Sequence, residues 1–267
     1  DIAEAVALGW ERHRAFIEEA MTPVRAWMVR ELDAGPGDTV LELAAGAGDT
    51  GYEAATLIGD GHLITSDFSE TMLDVARRRG KEVGAANVDY RVIDGENIDL
   101  ESDSVDRVLC RFGYMLMPDP NAAFSETYRV LRPGGRVAFA VWGAPEHNPY
   151  FTLMMMTLVG LGHMPPPEPT TPSPTRLGDE THVRELLAGA GFTDVVVEAV
   201  RVTFPYAAFD DFVTMTEDIA GPIALVLRDL SGQQRQEFMA QLEEACAPLK
   251  VGPGYEFPGV ALCVRAS

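Results

Sequence analysis

The chain has 267 residues, 46% hydrophobic and 23% charged, with a formal net charge of −20. This composition excludes a disordered or membrane-embedded chain, and the length suffices for one elaborated domain or a domain with a cap. The acidic balance argues against nonspecific attraction to a phosphate backbone, so nucleic acid is not expected as a partner.

Residues 2 to 33 predict two helices, interrupted at Pro23, with Val6, Trp10, Phe16, Ile17, Val24, Trp27 and Leu32 at helical spacing. Strand and helix signals then alternate. Strands are expected at 39–44, 62–66, 88–93, 105–110 and 136–141; helices start near Thr50, run from a Ser69 cap towards Gly84, and run from about Asn121 to Leu131. Such alternation predicts parallel pairing. After Trp142 the rhythm fails: Gly143–Pro149 reads as loop, Phe151–Met164 as an apolar helix, and Pro165–Pro174 as a proline-dense, lid-like connection. The apolar run is too short for a membrane span. A helix over Glu180–Ala190 and a strand over Asp194–Val202 follow, then a second interruption, Phe204 to about Pro258, with two helices expected, and a closing strand at Val260–Val264. Cys110, Cys246 and Cys263 give neither a metal knuckle nor a disulfide framework, which fits a reducing cytoplasm; no signal peptide is visible, and His163 and His182 have no ligand spacing, so no metal is expected.

The most informative stretch is Thr39 to Gly51, where an apolar strand enters a glycine-rich turn and then a helix. Gly46, Gly48 and Gly51 spell G-x-G-x-x-G, and Asp67 follows about twenty positions on, as an acidic ribose ligand would. Glu42 lies inside the strand. A carboxylate there suits a ligand bearing an ammonium group better than a pyrophosphate; its other reading is a carboxylate satisfied by backbone N–H groups.

Several blocks occur in order: Val40 to Asp49, Thr65 to Leu73, Asp94-Gly95-Glu96, Ser104 to Arg111, and Arg129 to Arg136, with Ala190-Gly191-Phe192 farther on. In these the chain resembles the class I S-adenosylmethionine-dependent methyltransferases, and among them the ubiquinone/menaquinone-biosynthesis C-methyltransferases. The resemblance implies an α/β, Rossmann-like, seven-stranded, mostly parallel sheet in the order 3-2-1-4-5-7-6, with helices on both faces and helical lid insertions. It also implies S-adenosylmethionine at the carboxyl ends of strands 1 and 2. Ala44, Gly46 and Gly48 would then lie beside the methionine moiety, Asp67 would accept the ribose hydroxyls, and Phe68 and Met72 would pack on adenine. Asp94 would accept the adenine amino proton and Gly95 would offer its backbone N–H, with Glu96 in the same block. Ala45 and Ala47 stand where family members often carry cysteine and threonine; both changes are small for small.

Each role has a plainer rival. Asp67 could simply end a strand, Asp94-Gly95 form an ordinary turn, and Phe68 and Met72 belong to the core. The expected division is an N-terminal helical cover (1–37), a cofactor core (38–143 and 176–203), a lid (144–175), an acceptor-side helical insertion (204–258) and a final core strand (259–267). A small-molecule acceptor fits the apolar wall offered by Met154, Met155, Met156, Leu158 and Leu161, which would suit an aromatic, quinone-like or polyketide-like compound methylated on carbon or oxygen; core packing of a lid helix is the other reading. His147 is the candidate general base, its rival a solvent-exposed loop histidine. Arg111 is the candidate partner for the cofactor carboxylate or an anionic acceptor, its rival a structural ion pair. Two other functions share the glycine loop: a nicotinamide-dependent oxidoreductase and a non-catalytic cofactor-binding regulator.

Overall fold

The computed structural model describes residues 2–168 and 171–267. Asp1, and Pro169 and Thr170 within the proline-dense stretch, lie outside the described residues. In chain order the elements are α1 (Ile2–Ala20), α2 (Thr22–Leu32), β1 (Thr39–Leu43), α3 (Asp49–Ala55), β2 (His62–Asp67), α4 (Glu70–Glu82), β3 (Val88–Val92), β4 (Val105–Arg111), α5 (Pro120–Val130), β5 (Leu131–Trp142), α6 (Pro149–Gly160), α7 (Glu180–Ala190), β6 (Val196–Tyr206), α8 (Phe209–Ile219), α9 (Gly221–Asp229), α10 (Gly232–Cys246), β7 (Lys250–Val251) and β8 (Gly254–Ala266). Among the described residues, no helix is long and apolar enough to cross a membrane.

The sheet runs β3-β2-β1-β4-β5-β8-β6, with two-residue β7 paired to β8 off this path. Setting β7 aside, this is the 3-2-1-4-5-7-6 order. Strands β1 to β5 pair in parallel, and β8 lies antiparallel on β5. Val40, Leu41, Leu43, Val108, Leu109 and Val137 to Val141 are buried, as strands covered on both faces require. Because β2 and β4 flank β1, the crossovers diverge at β1, and the crevice of an open α/β sheet opens at its carboxyl end.

Local chemistry sets the boundaries. Ser69 caps α4 by accepting the Met72 N–H, Asp119 caps α5 through Asn121 and Ala122, and Gly191 ends α7 in a left-handed conformation. Four expectations are corrected. The final strand starts at Gly254, not Val260: Tyr255 and Phe257 are buried while Glu256 and Pro258 are exposed, a period-two pattern in which Pro258 interrupts nothing. Strand β5 starts at Leu131, directly after α5, and Pro133-Gly134-Gly135 sits inside it where the register on β4 shifts. The second interruption holds three helices, because Gly221-Pro222 starts α9 afresh after α8. Strand β6 extends to Tyr206, beyond the expected end at Val202.

Two compact units emerge. One comprises Pro23–Gly143, Thr170–Val200 and Ala261–Ser267; it contains β1 to β5 and takes α2 from the helical N-terminus. The other gathers Asp1–Thr22, Ala144–Pro169 and Arg201–Val260, so three segments distant in sequence share one interior. Within it α1 packs on α8 and α6 on α10. Tyr150 stacks on Phe204 at 3.9 Å, and Phe212 on Phe257 at 4.2 Å.

Candidate functional site

The glycine-rich turn after β1 is held from two sides. Asp67, the last residue of β2, accepts the Gly46 N–H on Oδ2 at 3.0 Å and the Ser69 N–H on Oδ1 at 2.9 Å. Ala45 N–H donates to the Ser66 carbonyl at 2.9 Å, so the turn continues the pairing with β2 beyond the end of β1. Gly46 (φ 56) and Gly48 (φ 81) take left-handed conformations. A Cβ at Gly46 would meet only Met72 Cε, at 3.7 Å, so the turn keeps open space in front of it.

Glu42 lies beneath this turn. It is 2% exposed, and its Oε1 accepts the Gly51 N–H at 2.8 Å in the first turn of α3. Its Oε2 is buried without a hydrogen-bond partner. Burial pushes the carboxyl up to about 8, opposed by the Gly51 bond and by Arg111. This geometry makes Glu42 a brace between β1 and α3.

The other expected residues divide. Phe68 is 78% exposed beside Asp67, which removes the core reading for it, while Met72 is half-buried against the turn. Asp94 forms a turn: its Oδ1 accepts the Glu96 N–H at 2.9 Å and its carbonyl the Asn97 N–H at 3.0 Å. Glu96 Oε1 accepts the Asp119 N–H at 3.0 Å, tying that turn to the cap of α5. A Cβ at Gly95 would come within 2.6 Å of Met117 Cε. Arg111 ends β4, opposite Ala140 of β5, and its charge acts on Glu42. His147 is exposed in a 3-10 turn of the other unit, whereas Asn148 beside it is fully buried. In α6, Met154 and Leu158 are buried and Met156 is exposed, so the methionine run serves packing in part.

One feature of the strand ends carried no signal in the residue pattern. Ala44 (φ 50) and Phe112 (φ 61) both have left-handed backbones, and Gly113 packs so closely that a Cβ there would lie 2.6 Å from both Ala44 Cβ and Cys110 Sγ. The Phe112 ring stacks on Trp142, at the end of β5, with centroids 4.4 Å apart and planes 14° from parallel.

Together the ends of β1 and β2 offer an acid, an open-faced turn, an exposed aromatic ring and a thioether. This set fits a nucleoside with a polar tail: two carboxylate oxygens for vicinal hydroxyls, apolar surface for a base, and room against the turn.

Residues 40–135 match the methyltransferase domain family. Methyltransferase ktnA of Aspergillus niger is 32% identical over 162 residues, covering 52% of this chain and 52% of that protein. Demethylmenaquinone methyltransferase of Clavibacter sepedonicus is 37% identical over 133 residues, 49% of this chain and 48% of its own. The chain thus spans about half the length of these relatives. A candidate methyltransferase structure from Bacillus halodurans shares the fold at a TM-score of 0.63 and 21% identity, over 91% of this chain and 97% of that one.

Proposed function

We propose that the chain, whose residues 40–135 match a methyltransferase domain family, is a class I S-adenosylmethionine-dependent methyltransferase that moves a methyl group to a carbon or oxygen of an apolar, aromatic, quinone-like or polyketide-like small molecule. The observation that carries this reading is the turn held by Asp67, with Phe68 exposed beside it. When bound, the cofactor supplies a sulfonium-activated methyl carbon. Attack on such a carbon is an in-line displacement with a neutral leaving group, so the residues need mainly to align the partners and exclude water.

In this reading Asp67 accepts the ribose hydroxyls with lone pairs not taken by Gly46 and Ser69, Phe68 and Met72 cover the base, and Asp94 and Gly95 face its edge. Arg111 steadies the cofactor carboxylate or an anionic acceptor. The name of the Clavibacter relative supports a quinone-like acceptor.

Thermal shift with S-adenosylmethionine and, separately, with NAD tests the cofactor, because a ligand that binds only the folded chain raises its melting temperature. A rise with S-adenosylmethionine alone is expected. A rise with NAD alone would hand the site to an oxidoreductase. Transfer of labelled methyl to a panel of phenols and quinols then tests turnover, and bound cofactor that never releases its label would indicate a regulator.

A further inference from the structure

Five non-glycine residues among those described have positive φ: Asp33, Ala44, Asn87, Asp103 and Phe112. Three are Asp or Asn, whose short polar side chains tolerate this conformation. The other two, Ala44 and Phe112, directly follow the neighbouring strands β1 and β4, and Gly113, the residue after Phe112, packs against Ala44. Phe112 is the costlier case, since a bulky side chain disfavours φ 61 and glycine stands at the very next position. Such outliers persist where surrounding structure over-determines them, and they cluster at ligand sites.

Here the surroundings are visible. The Phe112 N–H donates to the Ala140 carbonyl at 2.8 Å, and the ring lies flat on Trp142, itself 8% exposed. Backbone and stack therefore fix one ring orientation. Phe112 stays half-buried, and the residue after it, Gly113, packs against Ala44, where the turn after β1 begins.

We propose that Phe112 selects the acceptor: its ring, backed by Trp142 and set by a left-handed backbone, is the surface on which a flat, uncharged aromatic acceptor stacks next to the cofactor. This rests on the methyltransferase reading, and it narrows the acceptor to planar ring systems. Edge or offset stacking on a pre-ordered ring favours a flat ligand over its saturated counterpart.

Calorimetry on the full chain saturated with S-adenosylhomocysteine tests it, with 1-naphthol as the flat probe and 1-decalol as the saturated one. The unmodified chain should prefer 1-naphthol. Phe112→Leu should weaken 1-naphthol about three- to tenfold, as loss of one aromatic pair implies, with little effect on 1-decalol; Phe112→Tyr should keep the preference. Phe112→Gly accepts the same φ, so it removes the ring while keeping the turn. It should lose the preference while retaining S-adenosylhomocysteine affinity. No binding of 1-naphthol to the unmodified chain, or equal preference in Phe112→Leu and Phe112→Gly, would overturn the proposal. Failure to bind S-adenosylhomocysteine would instead count against the methyltransferase reading.

Discussion

Glu42 and Gly51 are mutually fitted: Oε1 accepts the Gly51 N–H at 2.8 Å, and a Cβ on residue 51 would collide with Oε2. The strand that leads into the turn and the helix that leaves it are thus joined through a side chain with no room to move. This contact explains why the third glycine of the G-x-G-x-x-G pattern is a glycine without assigning it to a pyrophosphate.

The same contact predicts a pH-dependent stability. Burial raises the Glu42 carboxyl from an ordinary value of 4.5 to about 8. Between those limits the folded chain binds more protons than the unfolded one, so this contribution is fully present below 4.5 and is lost as pH rises through 8. Glu42→Gln keeps an acceptor for Gly51 and removes the titration. The variant should therefore gain on the unmodified chain by on the order of a few kcal/mol across this window. Urea unfolding at pH 5 and pH 8 checks it, and a constant difference would show that Glu42 is ionised throughout.

Asp67 has a double task in the proposed site, and the two can be separated. Asp67→Ala removes acceptors for Gly46 and Ser69 as well as the proposed ribose contacts, so S-adenosylhomocysteine affinity should fall by about 1 to 3 kcal/mol. Asp67→Asn keeps one acceptor oxygen where two are used and should lose less. Calorimetric affinities equal to that of the unmodified chain would confine Asp67 to ending its strand.

Much of this was legible in the residues, for physical reasons that differ by position. The apolar run of β1 must stop where glycines allow the chain to turn, and Ser69 marks the start of α4, so Asp67 is pinned to a strand tip by its neighbours on both sides. Phe112 and Ala44 were not legible: nothing in Arg111-Phe112-Gly113 says that phenylalanine rather than glycine takes the left-handed backbone, because the stack on Trp142 and the contact of Gly113 with Ala44 are tertiary. The start of β8 was hidden because the second interruption was expected to run to about Pro258, whose exposed position in the strand tolerates the missing N–H. In Glu146-His147-Asn148-Pro149 the histidine drew attention for its chemistry, while the residue that organises the segment is the asparagine.

The cysteines should be inert in the folded chain. Cys110, Cys246 and Cys263 are free and buried, and burial pushes each thiol up to about 12. The thiolate is the reactive form, so iodoacetamide at pH 8 should leave the native protein unlabelled and modify all three residues in denaturant. Rapid native labelling of any one, read by intact mass and peptide mapping, would show that its cover opens readily.

Asn148 should prove a structural keystone of its unit. Its Oδ1 accepts the Val260 N–H at 2.9 Å, and its Nδ2 donates to the Val260 carbonyl at 3.2 Å and the Ala144 carbonyl at 3.1 Å. The side chain thus imitates a paired strand residue against β8, within a fully buried setting. Asn148→Ala removes the partner of the Val260 N–H and carbonyl, while the Ala144 carbonyl keeps the His147 N–H at 3.0 Å, and it should cost about 2 to 4 kcal/mol, more than a surface change and in the range of unsatisfied buried groups. Asn148→Asp should be no better, since a carboxylate would face two carbonyl oxygens where an amide donates. By contrast His147→Ala, one position away but exposed, should alter stability by less than about 0.5 kcal/mol. Urea unfolding of the three variants decides the matter: if Asn148→Ala unfolds at the same midpoint as His147→Ala, the clamp on Val260 contributes nothing to the fold.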